Sequence, residues 1–243
     1  MMAQRVHLDP HAMVGDAPTF QVHRARIRSQ EFRQIIQDFE ILGNQYGPPA
    51  DHLTEAGRSR LNYIAQLIAE LEACNLSNEK QGFSVPIVGI LCDGSSFEYF
   101  SYDGYSKSFS RGLLVAKSTP GSTAIARVTL PPITQATGVE YIRALRPLCE
   151  SFYFLLLKGF LAGLEAYIRR ARDYGAGDGT RNYGSESEWE LALAKAVFAR
   201  NKSVEAGETA IEGNVQGAEK LADEARMLLE ESSKSKAKLT PLS

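Results

Sequence analysis

The sequence predicts an α+β protein: an antiparallel meander of about four strands packed by three helices, followed by a long Ala-rich C-terminal helical arm. Three observations lead there. Residues 85–130 hold short β-branched and aromatic runs punctuated by Asp-Gly dipeptides. The stretches on either side carry apolar residues at helical spacing. Beyond a Gly-rich segment, apolar residues recur every seven positions in an Ala- and Glu-rich stretch.

The chain has 243 residues, 44% hydrophobic and 23% charged, with 27 Lys and Arg against 29 Asp and Glu. That balance belongs to an ordinary globular protein, not to a collagen-like, disordered or disulfide-scaffold chain. At this length folding buries roughly 70–75% of the unfolded surface, enough for one sizeable core. A net charge of −2 argues against a protein that coats nucleic acid electrostatically. Cys74, Cys92 and Cys149 are odd in number and far apart, so neither a CxxC site nor a secreted disulfide framework is expected. The opening residues lack an apolar signal core, and the expected address is cytoplasmic or nuclear.

Residues 1–19 read as a flexible arm, interrupted by Pro10, Gly15 and Pro18. In residues 19–28, Phe20 and Val22 alternate with polar neighbours as in a short strand. Ser29 is placed to cap a helix whose face is Phe32, Ile35, Ile36, Phe39 and Leu42, ending at Gly43. A second helix is expected over 54–74, with Leu61, Ile64, Ile68 and Leu71 on one side.

Strands follow at 85–92, 96–103, 108–116 and 123–130. Asp93-Gly94 between the first two is a hairpin signal, because a type I′ turn needs positive φ at both central residues. Asp103-Gly104 marks the next turn. Pro147 suits the first turn of a third helix over 147–172, with residues 139–145 as a separate helical turn. Its run 152–164 is apolar but contains Lys158 and is shorter than a membrane span, so a buried central helix is expected. The core domain thus spans 20–174. Residues 175–187 form a Gly-rich linker, 188–232 the helical arm, and 233–243 a disordered tail.

In the arm, Val197, Val204, Ile211, Ala218 and Ala225 repeat at seven residues, and Val215, Ala222 and Leu229 add a companion row. Gly207, Gly213 and Gly217 weaken it by roughly 1 kcal/mol each relative to Ala. Such a seam packs back on the domain, on a protein partner or on a second copy. The expected partner-binding side chains are Val197, Val204, Ile211, Val215, Leu221 and Leu228.

Several chemistries are missing from the sequence. It has no GxxxxGK[ST], HExxH or GxSxG, and its one GAGDG follows a helix where a dinucleotide fold needs a strand. His7, His11, His23 and His52 all fall in the first quarter, outside the expected core. Asp93, Glu98 and Asp103 are the candidate acids of the β region, either as metal ligands or in acid–base work. Turn geometry alone accounts for Asp93 and Asp103, each of which precedes a glycine. Glu98 shares a strand face with Phe100 and Tyr102, an unusual place for a carboxylate. Arg24, Arg26, Arg28 and Arg33 form a basic cluster able to contact phosphates; a solvated edge strand explains the same residues.

The segment PIVGILCDGSSFEYFSYDG, residues 86–104, resembles the strand pair of PD-(D/E)XK nuclease-like domains. That likeness implies a nuclease-like core, in which carboxylates hold Mg²⁺ or Mn²⁺ and a lysine stabilises charge on the attacked phosphate. No Asp or Glu in this chain has a Lys two positions later, so the implied relative is degenerate. Residues 86–104 with SFSRG (108–112) and LRPLCESFYFLLLKGFLAGL (145–164) also resemble a group of uncharacterised filamentous-fungal proteins, which implies no activity. The expected function is therefore a non-catalytic protein-interaction module without a cofactor. The alternatives are a metal-dependent phosphodiesterase using Asp93, Glu98 or Asp103, and a nucleic-acid binder using the arginines.

Overall fold

The computed structural model describes residues 17–46, 60–92, 95–115, 124–131, 138–175 and 186–239. In chain order they form β1 (Thr19–Val22), α1 (Ser29–Tyr46), α2 (Arg60–Lys80), β2 (Ile87–Cys92), β3 (Ser96–Asp103), β4 (Ser108–Val115), β5 (Ala124–Ile125), β6 (Val128–Thr129), α3 (Gly138–Gly175), α4 (Glu186–Ile211) and α5 (Val215–Leu239). The architecture is α+β with a long C-terminal helical part.

The sheet is mixed. Strands β2, β3 and β4 form the expected antiparallel meander, with Cys92 opposite Phe97 and Phe100 opposite Arg111. The turn residues Asp93 and Gly94 lie outside the described residues. At the second turn, the Tyr105 amide and the Ser106 hydroxyl donate to the two carboxylate oxygens of Asp103, at 3.0 and 2.7 Å. Two features depart from a four-strand meander. Strand β1 adds to β4 in parallel, Val22 opposite Leu114. The fourth strand expected over 123–130 is two short pieces, β5 on β4 and β6 on β3. The registers explain the break. Strands β3 and β4 pair only from Phe100 to Asp103, and 124–129 enters where they part, bonding one and then the other. One straight strand could not serve both.

Helices cover both sheet faces, because alternate side chains of β3 point opposite ways. Tyr102 and half-buried Phe100 pack with Leu67 and Leu71 of α2. On the other face, Phe97 and Tyr99 meet Phe152 of α3 edge-on, at centroid distances of 5.8 and 6.2 Å. Tyr99 is completely buried and its hydroxyl pairs with Ser151 Oγ at 2.5 Å. Burial pushes that phenol up to about 12. Each such large apolar side chain contributes roughly 1.5–3 kcal/mol.

Pro147 lies inside α3, not at its start. Proline removes one helical hydrogen bond and disfavours helix at the preceding residue. Arg146 holds that position: its side chain reaches Glu150 one turn on, at 3.0 Å, and the Ile27 carbonyl at 2.8 Å. By length and composition α3 also suits a membrane span. In the structure its Leu161, Leu164 and Ile168 pack against Trp189 and Ala196 of α4.

The helical arm is a hairpin folded back on α3. Gly213, at φ 88°, makes the turn, and Asn214 caps α5 by accepting the Gly217 amide at 2.9 Å. Residues 233–239 continue α5, so the expected disordered tail is helical to Leu239. The seam also differs from expectation in α4. Its buried row is Ala192, Ala196, Ala199, Ser203 and Ala206, facing Ala218, Ala222, Ala225 and Ser232 of α5. The α4 spacings alternate four and three, the a/d pattern of a coiled coil, and on α5 half-buried Leu229 fills the step between Ala225 and Ser232. Small side chains at the other levels bring the two backbones close. Ser232 Oγ donates to the Ala192 carbonyl at 2.7 Å, which fixes the register.

Candidate functional site

The distinctive polar feature is the way residues 23–28 cross the helices. The Ala25 amide donates to the Glu150 carbonyl of α3 at 3.2 Å, and the Arg26 amide to the Ser203 carbonyl of α4 at 2.7 Å. Ala25 is fully buried. Gly207 permits this approach, since a Cβ there would strike the Arg24 carbonyl oxygen. The backbone of this segment therefore acts as a strap, bonded to α3 on one side and to α4 on the other.

Its arginines converge on buried acid. Glu150 is completely buried on α3 and takes Arg24 at 2.9 and 2.7 Å, Arg146 at 3.0 Å and Arg26 at 3.3 Å. Arg26 also reaches Glu219 of α5 at 3.0 Å. Glu219 in turn accepts the amide and hydroxyl of Ser29, at 2.9 and 2.8 Å, and so caps α1 from another helix. Partial burial pushes the Glu219 carboxyl up, but the bonds from Ser29 and Arg26 outweigh it and hold the group below the usual carboxylate range. Arg28 bridges Glu31 at 2.5 Å and Asp223 at 3.2 Å. One unpaired member in this setting would carry the desolvation cost of a buried charge.

Beside the network a cleft of about 570 Å³ opens between α1, α3 and α5. Ile27, Ile35, Tyr153, Ala222 and Leu229 line it, with Arg26, Arg28, Glu31, Arg226, Glu230 and Lys234 around them.

This arrangement corrects the solvated-strand expectation for the basic segment. The strand stops at Val22, and Arg24, Arg26 and Arg28 are spent on Glu150, Glu219, Glu31 and Asp223. Arg33 is exposed on α1, apart from that network. Glu98 is buried and paired with Arg111 at 2.9 Å, with Arg127 at 3.9 Å. Asp103 sits in its turn, five residues further along β3 and on the opposite face, about 16 Å away by strand rise. The structure does not bring these two acids together, and Asp93 lies outside the described residues. Among the described residues no three His, Cys, Asp or Glu side chains group to hold a metal.

The expected docking residues also separate. Val197 and Val204 turn inward, onto the clusters around Leu161 and Leu148. Leu221 and Leu228 are half-buried, while Ile211 and Val215 flank the hairpin turn and are exposed. The outward face of α4 instead shows Leu191 and Phe198, 53% and 61% exposed. Helical spacing bears on this, because both stand about 100–120° round α4 from the Ala192–Ala199 row, off the seam. Glu150 was also detectable, as the one acid inside the apolar stretch 148–157. Glu219 gave no local signal.

Comparison with family models, curated proteins and solved structures gives no match. Geometry alone therefore supports the functional proposal.

Proposed function

We propose that this chain is a non-catalytic protein-interaction module that docks a protein partner on the outer face of the α4–α5 hairpin. The observation that carries this is the exposure of Leu191, Phe198 and Met227 on a hairpin whose seam is already closed by Ala and Ser. Large apolar side chains left outside a closed seam support the reading of this face as an interaction surface. Leu221 and Leu228 border that face between the Lys195–Glu231 and Lys202–Glu224 ion pairs, which give it a charged rim.

A photo-crosslinking residue at position 198 of the full chain tests the proposal, with one at the exposed Gln37 of α1 as control. A single defined adduct from position 198, lost in Leu191→Asp, is expected. Equal labelling from both positions overturns it. So does Mg²⁺- or Mn²⁺-stimulated cleavage of DNA or RNA that disappears in Glu98→Gln.

A further inference from the structure

We propose that the cleft between α1, α3 and α5 binds an anionic amphiphile: a carboxylate or phosphate monoester on an apolar body. Its volume of about 570 Å³ falls within the range of roughly 300–1,000 Å³ typical of small-molecule sites. The apolar lining comes from three elements and the preceding strap: Ile27, Ile35, Ala222, Leu229 and the ring of Tyr153. Such a surface suits a hydrocarbon chain or ring.

The pattern of filled acceptors and unfilled donors selects the sign of the ligand. Arg26, Arg28, Arg226 and Lys234 face the cleft against Glu31 and Glu230. Behind them, Glu219 and Asp223 take one bond each from Arg26 and Arg28, which balances the cations in charge but does not fill every donor. Both lining carboxylates are already occupied. Arg28 and Arg226 hold Glu31 at 2.5 and 3.8 Å, and Arg226 holds Glu230 at 2.7 Å. An incoming cation would find those acceptors taken. The donors are not all taken: Nε of Arg26 and of Arg28 are sealed from water and have no acceptor. Arg26 itself is only 7% exposed, so a buried, incompletely bonded guanidinium stands in the wall. Exposed Lys234 and half-exposed Arg226 stand at the mouth and add to the attraction for the acid.

Isothermal titration of the full chain tests this, with dodecanoate and dodecyl phosphate as probes below their micelle concentrations. Both should bind saturably at one site. Inorganic phosphate, which has no apolar body, and dodecyltrimethylammonium, which has the wrong charge, should bind at least roughly tenfold more weakly. Ile35→Trp, which fills the floor, and Lys234→Glu, which reverses the mouth, should each weaken dodecanoate by about tenfold or more. Phe198→Asp lies outside the cleft and should leave it unchanged, so the outcome is independent of the hairpin-docking proposal. Circular dichroism of each variant confirms the fold. Absence of saturable binding by either anion overturns the inference. Equal affinity for the cationic amphiphile, or undiminished binding in both cleft variants, also overturns it.

Discussion

Arg24 places two donors on one oxygen of Glu150, Nε at 2.9 Å and Nη2 at 2.7 Å, across 126 residues of sequence. That pair ties the N-terminal strap to the centre of α3. The other carboxylate oxygen serves Arg26 and Arg146, so a single buried acid accepts bonds from three guanidinium groups, with Glu219 sharing Arg26.

Replacing Glu150 with Gln should therefore be costly. The amide keeps the shape but removes the charge, leaving three cations gathered around a neutral group. Breaking a buried pair from one side typically costs about 3–5 kcal/mol. Urea denaturation should show a loss in that range with the slope unchanged. A loss below about 0.5 kcal/mol, the usual surface value, would mean the arginines simply relax into water.

Gly207 and Gly159 should respond to alanine with opposite signs. Both are helical glycines, and in an exposed helix the change to Ala gains about 1 kcal/mol. Gly159 has nothing within 4 Å of where its Cβ would be, so it should gain in that way. At Gly207 the added methyl meets the Arg24 carbonyl, so the strap must shift and the Arg26 to Ser203 bond must weaken. Thermal melting of the two variants decides this: a higher midpoint for Gly207→Ala would show that the strap is not held against α4.

Glu219 should make stability pH-dependent in a definite direction. Its folded carboxyl lies below the ordinary value of 4.5. A depressed group contributes stability that is complete above its unfolded value and is lost as pH falls through its folded one. Glu219→Gln should thus be less stable than the parent at pH 7, by roughly 1–2 kcal/mol for the lost charged bonds. The two proteins should converge as acid protonates the parent. A constant gap from pH 7 down into that acid range would show that Glu219 acts by shape alone.

His23 gives a second pH handle. Burial lowers its pKa from 6.5, helped by Arg200 and opposed by Glu208. Its ring meets Phe154 edge-on at 5.2 Å. Stability from the neutral ring is complete above 6.5 and falls as pH drops through the lower folded value. In His23→Phe the drop in melting temperature from pH 7 to pH 5 should be smaller than in the parent. An identical drop would assign it to other groups.

The β2–β3–β4 meander, the start of α1 at Ser29 with buried Phe32, and the Ala218–Ala222–Ala225 row of α5 could be read locally, because each depends on alternation, capping or periodicity within a few residues; α1 differs in running past Gly43 to Tyr46 and in leaving Phe39 exposed. So could the presence of a helical arm. The α4 seam was misplaced by one position because Val197 and Val204 are larger than Ala196 and Ser203 beside them. Hydrophobicity points to the bulky row, whereas close helix pairing selects the small one.

Only the tertiary structure decided the rest. Parallel addition of β1, the breaking of the fourth strand and the passage of α3 through Pro147 all depend on partners distant in the chain. So does the fate of the basic segment: composition makes Arg24, Arg26 and Arg28 look like phosphate contacts, and the fold gives them Glu150, Glu219 and Asp223. Sequence specifies which charges a segment carries. Which opposite charges meet them, and at what depth, is set when α3 and α5 close over the strap, because the low dielectric of that interior leaves no charge without a partner.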